Sequence, residues 1–166
     1  FVYCDPLAPG QPNRFVGLNL TANLCALQQA VYTTPGSSYT VSFDMANQPG
    51  YNSAGTPGPS ESRFVEVVIY GLTPTEMSDL QNWSGPAEPI SAGPYQVIYQ
   101  SHFAIPRLNV PNTYEGLGWQ TKSFSFSSTT TATLIRFRVM DTRLGSPSTQ
   151  NSSIALDNVI MTADSI

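Results

Sequence analysis

The chain has 166 residues and a formal net charge of −4, long enough for one domain, 1–166, with a full core. Charged residues make up 11%, less than half the share usual in soluble domains, and Ser and Thr carry much of the polarity instead. The acidic balance, with the arginines and the single Lys122 scattered, excludes the clustered basic footprint of a nucleic-acid binder, and no apolar run reaches the length of a membrane span.

Taken in chain order, β-branched and aromatic content, alternation and Gly/Pro/Asn punctuation predict nine strands. Phe1–Cys4, Arg14–Leu20 and Leu24–Val31 come first. Pro35-Gly36 then supplies a tight turn, since Pro presets one dihedral and Gly tolerates the other. In Ser38–Ala46, Tyr39, Val41, Phe43 and Met45 fall on one side and Ser38, Thr40, Ser42 and Asp44 on the other, the period-2 signature of a half-buried antiparallel strand. The segment Asn47–Ser62 is a Gly/Pro-rich loop, and Arg63–Gly71 is the next strand. A second long connection, Leu72–Pro94, holds the one helical signal. Thr73 is placed to cap, Pro74 to occupy the first helical position and Glu76 to reciprocate, with the helix running through Leu80. Tyr95–Ala104 follows, then Gly118–Ser127, where Phe124 and Phe126 alternate with serines. In Thr133–Asp141, Ile135, Phe137 and Val139 face one way and Arg136 and Arg138 the other; Ser153–Thr162 closes the chain. Many short strands with little helix predict an all-β, antiparallel sandwich or barrel with two long inserted loops and one short helix.

The segments VYTTPGSSYTVSFDMA, GLGWQTKSFSFSSTTTATLIRF and IALDNVIM resemble the choice-of-anchor type of galactose-binding-like domain, over residues 14–46 and 117–162. The resemblance implies a jelly-roll β-sandwich with an extracellular, non-enzymatic role, often in binding polysaccharide or cell wall, and it places Trp119 in the core. In that group an opening strand reading Asn-Gly-x-Phe-Glu pairs with the closing Ala-Leu-Asp-Asn-Val strand, and the two often share calcium. No such opening strand precedes Phe1-Val2-Tyr3-Cys4 here, so Ile154–Met161 is expected to lack its usual neighbour. An unpaired edge is a template for another chain, and a strand supplied head-to-tail builds an open filament. Asp157 matches the calcium-linked aspartate; with the opening Glu absent, a structural calcium is at best half encoded, and the plainer reading is that Asp157 hydrogen-bonds a turn.

The remaining candidates come from the residues themselves. The chain starts at Phe1, with either a leader removed or an artificial boundary. Cys4 and Cys25 are the only cysteines. In a Ser/Thr-rich, Lys-poor chain they suggest one disulfide in an oxidising compartment, against the alternative of two buried thiols. Sequons at Asn19, Asn82 and Asn151 are glycosylation candidates. His102, the only histidine, reads as structural or surface, because Ser101 beside it on a strand points to the other face and no nucleophile-elbow motif is present. Glu61, Glu66, Glu76, Asp79 and Glu88 read as ordinary solvated carboxylates. The loop aromatics Tyr51, Trp83, Tyr95 and Tyr114 are the candidates for carbohydrate or subunit contact. The leading functional expectation is a non-catalytic extracellular subunit that self-associates into a filament or surface assembly. Its joining strands are Phe1, Val2 and Tyr3 with Ile154, Leu156 and Val159. The alternative is a monomeric carbohydrate-binding module, and a hydrolase is third.

Overall fold

Alternation along the strands decides the architecture. The computed structural model describes residues 16–19, 26–47, 50–51, 57–58, 63–81, 95–105, 119–140 and 153–164. In chain order these form β1 (Val16–Asn19), β2 (Ala26–Tyr32), β3 (Ser38–Asn47), the two-residue β4 (Gly50–Tyr51) and β5 (Pro57–Gly58), and β6 (Arg63–Leu72). Next come α1 (Pro74–Gln81), β7 (Gln96–Ile105), β8 (Gln120–Ser127), β9 (Ala132–Met140) and β10 (Ser153–Ala163). Two four-stranded sheets result, ordered β1-β10-β3-β8 and β2-β9-β6-β7, with every pairing antiparallel. The chain crosses between them repeatedly, as in a jelly-roll sandwich.

The core lies between the two inner faces. Val41, Phe43 and Met45 of β3, Val65, Val67 and Ile69 of β6, Ile135 and Phe137 of β9, and Ile154 and Leu156 of β10 are all buried there. Rings join the sheets. Phe43 meets Phe103 and Phe137 edge-on at centroid distances of 5.2 and 5.1 Å, and Tyr99 stacks on Phe124 at 4.5 Å. The turn before β3 forms as its residues require: Ser37 N donates to Thr34 O at 3.1 Å, and Gly36 takes φ +82° at the position that favours glycine. The buried Tyr39 hydroxyl is satisfied by the Thr34 amide at 2.8 Å.

Helix α1 starts on the reciprocal cap expected of it. Glu76 Oε2 accepts from Thr73 N at 2.7 Å, and Thr73 Oγ1 accepts from Glu76 N at 3.2 Å. Met77 packs its apolar side on Leu72, Ala132 and Leu134 in a second, smaller core on the outer face of the β2-β9-β6-β7 sheet.

Two expectations are corrected. The closing strand does have an intrachain neighbour. β1 pairs with it at Val16↔Leu156, Gly17↔Ala155, Leu18↔Ile154 and Asn19↔Ser153, while β3 holds its other side. Leu18 is buried in the core and Val16 packs against it, so a short apolar strand suffices for that place. Ile154 and Leu156, named as assembly positions, are core residues with no side chain to offer a partner. Trp119 is 40% exposed rather than in the core, because it precedes β8 and no ladder fixes its facing. The predicted strand Phe1–Cys4 lies outside the described residues.

Phe43→Ala should cost about 3–5 kcal/mol, and Thr73→Ala about 1 kcal/mol through the lost cap, both read by chemical denaturation. The larger loss must belong to Phe43 if the aromatic contacts between the sheets hold them together.

Candidate functional site

With Val65, Val67 and Ile69 committed to the core, the intervening residues of β6 must face outward. The antiparallel registers extend this into rows across the sheet. One row reads Ala26, Arg138, Glu66, His102; the next Gln28, Arg136, Val68, Gln100; a third Ala30, Leu134, Tyr70, Val97. The first two place six polar or charged side chains side by side on an outer face.

These groups are drawn together around two buried ones. Glu66 is 4% and Arg136 7% exposed. Arg138 Nη2 lies 2.5 Å from Glu66 Oε2, and Gln100 Nε2 donates to Glu66 Oε1 at 2.6 Å. His102 Nε2 sits 3.7 Å from the same Oε1, with its own side chain about half exposed. Gln28 Oε1 and Arg138 Nε are buried with no hydrogen-bond partner. Glu66, Val68, Tyr70, Val97, Gln100, Arg136 and Arg138 line a cavity of about 260 Å³. Its Tyr70 wall is braced by Tyr95, at a centroid distance of 6.1 Å, and by α1 beyond. Burial, then the Glu76 and Asp79 carboxylates, raise the Tyr95 phenol above its ordinary range.

The outer face of the other sheet differs in kind. Thr40 Oγ1 and Ser125 Oγ are 2.9 Å apart, Ser38 Oγ and Ser127 Oγ 3.2 Å. At one end Asp44 and Asp157 are direct cross-strand partners, an unfavourable placement for like charges. Asn158 relieves it: its side-chain Nδ2 donates to Asp44 Oδ2 and its amide N to Asp157 Oδ1, both at 2.8 Å. Asn158 can do this because it sits at φ +49° in the bulge of β10, a conformation that Asn tolerates. Asp157 thus accepts from its neighbour's amide within the bulge of β10. Calcium needs six to eight oxygens; two carboxylates meet here, and among the described residues no group of three His, Cys, Asp or Glu could hold a metal. The described residues do not fit a calcium site, and Asn158 supplies hydrogen-bond donors to both carboxylates.

Of the other sequence candidates, Tyr95 stands against the cavity wall and Val159 is exposed on β10. Tyr51 falls in β4 and Asn19 in β1, with their side chains undescribed. Phe1, Val2, Tyr3, Cys4, Cys25, Asn82, Trp83, Tyr114 and Asn151 lie outside the described residues, as do Glu61 and Glu88. The expectation that Glu66 is solvated is overturned by its burial. Tyr70, Gln100 and Arg138 were not candidates at all. The available signal was the outward placement of Arg136 and Arg138 on one strand and an acid on another.

No family model matches the chain, and no curated protein matches it. Among solved structures, one described as "CBM4 structure and function" is similar over 84% of this chain, with 14% identity and a TM-score of 0.47. The chain spans 61% of that structure's length.

The Asn158 and then Thr121 hydrogen bonds hold the Asp44 carboxyl below its usual range, against a smaller opposing effect of burial. A carboxyl depressed in the folded state contributes stability above its unfolded pKa and loses it as pH falls through the folded one. Asn158→Ala should therefore be destabilising at neutral pH, with the gap to wild type narrowing on acidification. Denaturation midpoints measured from neutral to strongly acidic pH check this; a gap constant with pH contradicts it.

Proposed function

We propose that the chain is a non-catalytic carbohydrate-binding module that works outside the cell and takes its ligand in the cavity over β6, β7 and β9. The observation that carries this reading is the network in which the buried Glu66 carboxylate is held by Arg138 and by the exposed Gln100 on a sheet's outer face. Sheltering a charge pair brings little or no net stability, and well-packed apolar residues serve the fold as well or better. Charged groups gathered in a cavity, with the Arg138 Nε buried and unpartnered beside it, instead suit a ligand that both donates and accepts hydrogen bonds. Sugar hydroxyls do both, and a Tyr ring beside such groups takes the apolar face of a pyranose.

Glu66 is the one carboxylate among the described lining residues, whereas glycoside hydrolysis ordinarily uses two. The choice-of-anchor resemblance, with its extracellular and polysaccharide-linked roles, runs in the same direction. Among the described residues no helix is long and apolar enough to cross a membrane.

The direct test is affinity electrophoresis through gels containing soluble β-glucan, xylan, mannan or galactan. The wild-type chain should be retarded by at least one. Val97→Arg, a bulky charge at an exposed rim position, should weaken retention about tenfold or more, about 1.4 kcal/mol, with the fold intact by circular dichroism. Ser123→Ala, on the other sheet, should leave it unchanged. Equal retention of wild type and Val97→Arg contradicts the proposed site.

A second reading, self-association, is supported by Val159 and Ile160, 42% and 55% exposed on β10. They lie past Leu156, where the described pairing with β1 ends. This reading expects a concentration-dependent increase in mass by light scattering that Ile160→Lys abolishes; a monomer at every concentration removes it.

A further inference from the structure

The shape of the cavity says more about the ligand, provided the carbohydrate reading holds. We infer that it recognises a single terminal sugar ring, not the run of an extended chain. Three features carry this. The volume, about 260 Å³, falls below the range of about 300–1,000 Å³ of sites that enclose drug-sized molecules. A ligand that fills it is therefore a small one. Among the described residues the lining comes from three adjacent strands, β9, β6 and β7, which span about 10 Å at the usual strand spacing. One end is walled: Tyr70 is backed by Tyr95, and α1 sets Met77 on Leu72, Leu134 and Ala132 directly behind. A chain lying along the strands has no exit past that wall.

The chemistry inside is also laid out for one ring. Val68 occupies the middle outward position of β6, buried, between Glu66 on one side and Tyr70 on the other. It gives an apolar floor for a ring face. Glu66, Arg138 and Gln100 form one polar end, already joined by hydrogen bonds at 2.5 and 2.6 Å. A carboxylate oxygen accepting from one hydroxyl while the guanidinium or amide donates to its neighbour is the pairing that reads two adjacent hydroxyls of one sugar. The set is preorganised, so little side-chain ordering is left to oppose binding.

Titration calorimetry of the full chain tests this, using glucose, galactose, mannose and xylose and the oligosaccharide ladders built from each. In the series that binds, the affinity of the monosaccharide and of the longest oligomer should agree within about threefold, with one protein bound per chain end. Partial hydrolysis of the matching polysaccharide at constant mass should raise the amount of protein bound. Affinity climbing about tenfold or more from monomer to tetramer, or several proteins per oligosaccharide, would show that the site reads an extended chain. That result overturns this inference and leaves the carbohydrate reading standing. Binding to no sugar in any form overturns both. Gln100→Ala supplies the positional check: it should weaken monosaccharide and oligosaccharide by the same factor, and a loss confined to the longer sugars counts against a single-ring site.

Discussion

Along β6, Val65, Val67 and Ile69 are fully buried between the sheets, and Glu66, Val68 and Tyr70 alternate with them on the opposite face. The register on either side then places Glu66 between Arg138 of β9 and His102 of β7. Both the core and the cavity depend on that register. A slip of one residue would carry a carboxylate into the aromatic core and expose the valines, since side-chain period in a strand is two. The apolar positions are what fix it. Val65, Val67 and Ile69 share one core with Phe43 and Phe137, and Phe103 packs against it, so a slipped β6 would lose that packing. The polar rows on the outer face follow from a choice made by hydrophobic burial on the inner one.

The two outer faces solve the same problem of covering a sheet in different ways. Over β3 and β8, hydroxyls pair across strands and stay wet, with Asn158 settling the one clash of carboxylates. Over β6, β7 and β9, charged groups are sheltered and joined, and a helix closes one end. Sheltered charge is not a cheap way to finish a surface. This asymmetry points to a task on one side of the sandwich, and the sugar-binding reading assigns it there.

Much of the fold was legible from periodicity. Apart from the two-residue β4 and β5, which fall in the segment expected to be a loop, the strands from Ser38 onward begin and end within two residues of their expected bounds, and the Thr73/Glu76 cap forms as its spacing requires, because both signals are local. The site was far less legible. Glu66 reads in sequence as one more acid near a strand start; what makes it distinctive is Gln100 and Arg138, brought beside it by pairings between distant segments. Tyr70 sits within a strand and not in a loop, and it lines the cavity because β6 alternation turns it outward beside Glu66 and Val68. Trp119 misled for the complementary reason: it borders a strand without belonging to its ladder. The neighbour of β10 was missed because β1 is only four residues long, and its role is set by pairing, not by composition.

The central claim is that the polar rows created by the β6 register form the ligand site. Backbone amide resonances followed during a sugar titration test it most directly. The account predicts that the largest shifts cluster at Glu66, Val68, Tyr70, Val97, Gln100, Arg136 and Arg138. Shifts centred instead on the Ser/Thr face of β3 and β8, with these seven unmoved, would contradict it.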